Sequence, residues 1–498
     1  MIISLMPTMD RAYVMTVSRI IFVTILLHIP SLVVLSQWLH DQRLTNDADS
    51  SVISYCTQRS IAVDGNDVRV VWRDNRDRNR EIYYKQSTDG GESWGPDVRL
   101  THDSGMSGIP SIAMAEASVH VAWNENRDGD WEIYYKRSTD GGTTWGEDVR
   151  LSNDPALSNM ASITASGTNV YVVWADKRDE IGQVYGKHSS DGGESWGEET
   201  KVTMSSTLAY SPSATASGDF VHLVWGDTRN GVPEVYYRQS TNMGMSWGPE
   251  VLLSDLSFSS QLPSIAMSGV NVHVVWTDFR DGNYEVYHKC STDQGLTWGQ
   301  NTRLTNSIDD SHYPVVSCSG TMVHVVWSDS RDGNYDIYYK RSTNTGETWE
   351  METRISDNGA TSSERPTVAI SDSAVHVIWM DMRDGPNGEL YYAKNPTGNV
   401  VTPTSIVPVA PIHHTLMQIH PNPVTARSTI SYTVNTPSQV IITIHDMLGR
   451  LVSRVVDVYQ AAGKYQVLYN ASRLSPGVYH CRLASDGHVI STRMVVLR

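Results

Sequence analysis

The sequence predicts an all-β chain: seven like units of four strands wound into a ring and closed by an N-terminal strand, then a small β-sandwich. Three observations predict it. A Val/Leu-x-Trp triplet places tryptophans at 72, 123, 174, 225, 276, 327 and 379, at spacings of 51, 51, 51, 51, 51 and 52 residues. A nine-residue turn, STDGGESWG at 87–95, returns as STDGGTTWG, SSDGGESWG, STNMGMSWG, STDQGLTWG and STNTGETWE. Between these anchors lie alternating apolar and polar segments with no helical periodicity.

Composition agrees. The 498 residues include 36 Gly, 15 Trp and 24 Tyr but only 4 Phe, a balance suited to short strands and tight turns. The formal net charge of −16 is spread without long runs, which argues against nucleic-acid and membrane-surface partners. Cys56, Cys290, Cys318 and Cys481 have neither metal-ligand spacing nor a framework pattern and read as packing residues, with a disulfide as the alternative.

Residues 1–36 read as a signal peptide. An apolar run at 20–35 follows Arg11 and Arg19 and ends at Val34-Leu35-Ser36, with Met15 as an alternative start. An uncleaved anchor is the competing reading. After residue 36 no stretch is long and apolar enough to cross a bilayer, so no stable membrane span is expected after processing.

Residues 37–395 hold the repeat. In the fifth unit the four segments are PSIAMS (263–268), NVHVVWTD (271–278), YEVYHKCS (284–291) and WGQNTRLT (298–305). Four strands per unit at this period make a β-propeller blade. Seven units carry the first three strands, but the seventh stops at ELYYAKNPTGN (389–399). Its missing strand lies at the other end, where QRLTND (42–47) matches VRLTHD (98–103) and TRLTNS (302–307). Pairing 42–47 with the last unit closes a seven-bladed ring and removes the exposed sheet edges.

The repeated turn fits Ser-x-Asp-x-Gly-x-x-Trp. Its acceptors are Asp89, Asp140, Asp191, Asn242, Asp293 and Asn344, and its tryptophans Trp94, Trp145, Trp196, Trp247, Trp298 and Trp349. A short acceptor takes hydrogen bonds from the backbone of its own turn, Gly supplies positive φ, and Trp packs over the bend. Asn keeps the acceptor but not the charge, so the turns read as structural clasps, with no metal site and no cofactor.

Arg76, Arg127, Arg178, Arg229, Arg280, Arg331 and Arg383 each stand four residues after the unit's Trp. Acidic residues lie two, five and about nine positions after the same Trp in most units, so these arginines are expected to brace their own loops. His120, His222, His273, His324 and His376 stand three before a Trp in five separate units, too far apart to share a metal, and read as packing histidines.

Function is expected where the symmetry breaks, in the loops joining one unit to the next: 47–59, 204–212, 306–314 and 357–366. They place Tyr55, Arg59, Tyr210, Asp309, Asp310, His312, Tyr313, Glu364 and Arg365 near one face. Aromatics beside carboxylates and arginines suit sugar or peptide ligands. No catalytic residue is assigned.

On these residues the repeat over about 42–395 resembles the Asp-box, or BNR repeat, of sialidases and other secreted propellers. The resemblance implies the fold; glycosidases, lectins and scaffolds all carry the repeat. Sialidases have six blades, an arginine triad, a Tyr–Glu nucleophile pair and an Asp acid/base. Here there are seven units, and Gly108-Ile109-Pro110 is the nearest match to the family's Arg-Ile-Pro element.

Residues 396–415 are rich in Pro, Thr and Val and read as a linker, and 416–498 read as the β-sandwich, Ig-like in its strand pattern. HPNPV (420–424), IHDMLGRLV (444–452), LSPGVY (474–479) and RMVVLR (493–498) resemble the type A C-terminal sorting domain of type IX secretion substrates. That resemblance implies export to the outside or the outer-membrane surface of a Gram-negative bacterium, with the secretion machinery as partner. The expected function is binding of glycans or surface proteins. An exo-sialidase-like glycoside hydrolase and a non-catalytic structural propeller are the alternatives.

Overall fold

The computed structural model describes residues 38–47, 49–54, 58–256, 258–357, 361–400, 417–434, 438–447, 450–461, 463–485 and 488–497. The expected signal peptide, Tyr55, Cys56 and most of the expected linker lie outside them. The chain divides into units Met1–Val400 and Val401–Arg498. Every element among the described residues is a β-strand.

The first unit is a series of seven small antiparallel sheets resembling propeller blades. In the second, Ser107–Ala115, Ser118–Glu125, Glu132–Ser138 and Val149–Arg150 lie side by side in chain order. The seventh sheet takes Ser363–Ile370, Val375–Asp381 and Glu389–Asn395 from the end of the unit and Gln42–Arg43 from its beginning. Gln42 lies opposite Tyr392 and Arg43 opposite Tyr391, the register that Val98 and Arg99 keep with Tyr84 and Tyr83. Arg43 then donates to Glu389 at 2.7 Å, as Arg99 does to Glu81.

The repeated tryptophans hold neighbouring sheets together. Trp174 is fully buried against Ala122, Ile133 and Tyr135 of the preceding sheet. Its indole N–H donates to the Asp176 carboxylate at 3.0 Å, and the other six repeat the bond at 2.7–3.0 Å. A large apolar body is thus buried with its one polar atom satisfied.

The first strand of sheets two to seven carries a bulge. Register shifts fall between Gly108 and Ser111, and between His312 and Val315. The bulged residues Ile109, Met160, Ser211, Leu262, Tyr313 and Arg365 have φ of 49–58°, although five precede a proline and none is glycine. Left-handed backbone at such residues is strained and persists only where the surroundings enforce it. In the first sheet this point carries an insertion. Seven residues separate Val52 from Ser60 where two separate Gly108 from Ser111, and the strand is split into Ser51–Val52 and Ile61–Asp64.

Residues 396–400 depart from the linker expectation. Asn399 lies 3.1 Å from the His324 ring nitrogen and donates to Ser371 O, while Arg341 donates to Gly398 O at 2.9 Å. Buried polar groups of the last two sheets need these partners, so the segment folds with the first unit.

The second unit pairs a three-stranded sheet (Met417–His420, Arg427–Val434, Gly463–Asn470) with a four-stranded one (Leu451–Gln460, Ser438–His445, Gly477–Ser485, His488–Val496). Ile430, Tyr432 and Val434 of one sheet meet Ile442, Ile444, Cys481, Leu483 and Met494 of the other in a single core. Among the described residues the cysteines form no disulfide, and burial pushes the Cys481 thiol up to about 12.

Candidate functional site

Antiparallel order within each sheet sorts the loops into two faces. The repeated turns and the hairpins joining first to second strands share one. The joining loops and the loops that follow each buried Trp share the other.

On the turn face the repeated turns are held by their own hydrogen bonds. Ser93 N donates to Asp89 Oδ1 at 2.9 Å and Gly91 N to Ser87 Oγ at 2.8 Å. Donation from Ser93 Oγ, then from Ser93 N and Ser87 Oγ, holds the Asp89 carboxyl well below the usual range, and Asn242 accepts the same backbone bond from Ser246 N at 2.9 Å. Each turn also clasps the sheet before it. Trp145 stands edge-on to Tyr84 with ring centroids 5.0 Å apart, and a Cβ on Gly142, at φ 92°, would collide with Tyr84 Oη. The turn therefore needs glycine for close approach as well as for φ.

The arginines after each Trp pair with the acid two after it, as expected, but not with those five and nine after it. Arg178 donates to Asp176 at 2.9 and 2.7 Å and to Glu199, 21 residues on, at 2.6 Å, with its guanidinium 4.2 Å above the Tyr185 ring. All seven lie 4.0–4.5 Å over such a ring. The acid five after Trp instead accepts from that tyrosine, as Asp179 does from Tyr185 at 2.7 Å. The acid nine after Trp pairs with a fourth-strand arginine, as Glu81 does with Arg99. A guanidinium stacked on the ring points outward and leaves those inner acids to other partners.

The five histidines are buried. His120, His222, His324 and His376 each hold a tyrosine hydroxyl at 2.7–2.8 Å, and His273 holds His288 at 3.1 Å. Among the described residues no group of three or more His, Cys, Asp or Glu is placed to hold a metal.

The joining-loop face brings part of the candidate set together. His312 lies between Tyr284 at 4.5 Å, Tyr313 at 5.8 Å and Tyr335 at 6.4 Å between ring centroids. Phe279, 42% exposed, extends the aromatic row 4.9 Å beyond Tyr284. Asp310 accepts from Tyr284 N at 2.9 Å and lies 3.8 Å from the His312 ring. Gln261 donates to Tyr284 Oη at 3.2 Å. Arg365 sits 6.0 Å from the Tyr313 centroid and 3.9 Å from Glu364. Burial, then the Asp310 and Glu364 carboxylates, push the Tyr335 phenol up, and burial pushes His312 down. The row is therefore a neutral aromatic surface edged by two acids and a base.

Other candidates lie elsewhere. Tyr210 packs its ring on the Gly226 backbone, and Asp309 is exposed with its carbonyl taken by Asn283 at 2.9 Å. Arg59 points inward and donates to Ile265 O, in the fifth sheet, at 2.8 Å. Phe279, Tyr284 and Tyr335 belong to the cluster and were not expected. The signal for the two tyrosines is the residue eight after each Trp, which is Tyr284 and Tyr335 in two adjacent units but Arg80, Trp131, Gly182, Pro233 and Asn387 in the others.

No curated protein matches the chain. Among solved structures, the polysaccharide lyase Uly1 superposes with TM-score 0.52 at 9% identity, covering 73% of this chain and 100% of its own. A Trypanosoma rangeli sialidase mutant with trans-sialidase activity gives TM-score 0.43 at 12% identity, over 81% and 87%. The endosialidase of phage phi92 gives 0.46 at 9%, over 92% and 87%. Residues 418–497 match the family described as "Secretion system C-terminal sorting domain". Residues 418–497 are therefore a secretion system C-terminal sorting domain, and the all-β unit before them resembles the polysaccharide lyase Uly1 in fold.

Proposed function

We propose that the protein is a secreted or surface-held carbohydrate-binding propeller. Its ligand lies on the joining-loop face, against Tyr284, His312, Tyr313 and Tyr335. The single observation that carries this reading is the aromatic row edged by Asp310, Glu364 and Arg365, built from loops of adjacent sheets. Pyranose rings stack their C–H faces on aromatic rings, while carboxylates and guanidinium take the hydroxyls. The polysaccharide-active neighbour of similar fold favours a sugar over a peptide at the level of fold alone.

The same reading makes residues 37–395 a seven-bladed ring closed by the strand at 42–43, in keeping with the Gln42–Tyr392 register. It makes residues 1–36 a signal peptide and 416–498 a removable address for the type IX machinery. Binding rather than hydrolysis is favoured because the repeated arginines are engaged with their own acids and rings, and because the Tyr335 phenol is disfavoured as a phenolate nucleophile.

A glycan array probed with the full chain, alongside Tyr335→Ala and His312→Ala, tests this. We expect retention of a defined set of oligosaccharides by the wild type and at least tenfold weaker binding by both variants. Equal binding by all three, or a blank array for the wild type, overturns the reading.

A further inference from the structure

The first strands of the seven sheets surround a cavity of about 260 Å³. Its lining is aliphatic and small apart from three hydroxyls and one charge: Thr164, Thr215, Ser317 and Arg59. Arg59 comes from the insertion that splits the first strand of the first sheet. That insertion reaches across the axis, Gln58 donating to Met160 O in the third sheet and Arg59 Nη2 to Ile265 O in the fifth.

Arg59 makes no ion pair among the described residues, in contrast to the arginines after each Trp, each of which holds at least two carboxylates. Its sequence neighbours at 55–57 are Tyr, Cys and Thr and bring no acid. The Thr164, Thr215 and Ser317 hydroxyls, which line the same cavity, have no hydrogen-bond partner among the described residues, although Thr164 and Thr215 are only 6% and 5% exposed. A half-buried guanidinium without a counter-charge keeps part of its desolvation cost, and the hydroxyls beside it keep unused donors. A group that accepts hydrogen bonds and carries negative charge removes both.

We propose that the axial cavity is an anion site, in which Arg59 supplies the charge and Thr164, Thr215 and Ser317 supply further donors to a halide, an inorganic oxyanion or a small carboxylate. The insertion exists on this view to carry Arg59 to the axis, where the bound anion ties the first sheet to those facing it. The inference is independent of the outer face and stands whether or not that face binds sugar.

Crystals of the full chain soaked in sodium bromide test it directly. An anomalous peak within hydrogen-bond distance of the Arg59 guanidinium is expected, and its absence from the wild type together with no anion response in solution overturns the proposal. In solution, replacing gluconate by chloride, or by acetate, at constant ionic strength is expected to raise the thermal midpoint by about 2 °C. A response to chloride alone identifies a halide site, and a larger response to acetate a carboxylate site. Arg59→Met is expected to lose both the peak and the anion response. Should that variant not fold, the double variant Thr215→Val, Ser317→Ala keeps the charge and is expected to halve the response or more. An anion response unchanged in either folded variant overturns the proposal.

Discussion

Trp38 stands edge-on to Tyr339, with ring centroids 5.0 Å apart and planes 80° from each other. Trp145 keeps the same relation to Tyr84, at 5.0 Å and 76°. Three residues after each lies the acid that meets an arginine stacked on tyrosine: Asp41 for Arg383 at 2.7 Å, Asp148 for Arg127 at 2.7 Å. Trp38 and Asp41 thus complete a seventh turn whose other half is the degenerate Asn395–Asn399. The two halves come from opposite ends of the unit.

Removing the indole should therefore loosen the seventh sheet as it would any other. Trp38→Ala is expected to lower stability by about 2–3 kcal/mol, close to the effect of Trp145→Ala. Guanidinium denaturation of the full chain measures both. An unchanged midpoint for Trp38→Ala, beside a clear loss for Trp145→Ala, would show that the N-terminal segment does not hold the sheet.

Two glycines of positive φ separate conformational from steric need. Gly129, at φ 109°, has nothing near a would-be Cβ, whereas at Gly142 the Cβ would meet Tyr84 Oη. Gly129→Ala is expected to cost about 1 kcal/mol and Gly142→Ala about 3 kcal/mol. Adding Tyr84→Phe removes the colliding oxygen, so the double variant should recover part of the larger loss. Additive losses would place the cost in the backbone alone.

How far the sequence carries the fold follows from where each signal resides. Strands and buried Trp recur seven times and the turn six, at about 51 residues, so the sheets are legible in local chemistry. Pairing of 42–43 with the last sheet is legible through the QRLT likeness, but Trp38 is not, because its turn lacks the Ser-x-Asp half beside it. The partners of the repeated arginines are set by stacking on a ring seven residues away, which spacing between charges does not reveal. The aromatic row was half visible: Asp310, His312 and Tyr313 sit in a joining loop that breaks the pattern. Tyr284 and Tyr335 each stand in an Asp-Gly-Asn-Tyr loop; Tyr284 meets His312 across two sheets, and Tyr335 meets it from another loop of the same sheet. The left-handed bulges were invisible, since a residue before proline is ordinarily extended.

Buried acids that serve three donors should be intolerant of losing their arginine. Asp176 is fully buried and accepts from Trp174 Nε1 at 3.0 Å, Ser158 Oγ at 2.9 Å and Arg178. These bonds and the Arg178 charge outweigh burial and hold its carboxyl below the usual range. Arg178→Gln leaves that charge uncompensated and is expected to cost about 3 kcal/mol. The exposed Arg80→Gln should stay within about 0.5 kcal/mol. Equal, small effects in urea denaturation would mean that water replaces Arg178 at no cost.

Acid should weaken the first unit through its buried histidines. Burial pushes His120, His222, His273, His324 and His376 each down to about 4, against about 6.5 in the unfolded chain. Between those values the unfolded chain binds protons that the folded one refuses, so stability rises with pH there and falls as the solution is acidified. The contribution is whole above pH 6.5 and is lost on the way down to about 4. Each histidine adds a slope of up to about 1.4 kcal/mol per pH unit. Denaturation midpoints of the full chain between pH 7 and 4.5 are expected to show that fall. His222→Gln, which keeps a polar partner for Tyr237 without a titrating ring, should reduce the slope by about one proton, whatever its effect on stability at pH 7. A slope identical in wild type and variant would mean that His222 gains its proton without leaving the core, and that the stacked His–Tyr pairs are not what makes the sheets acid-sensitive.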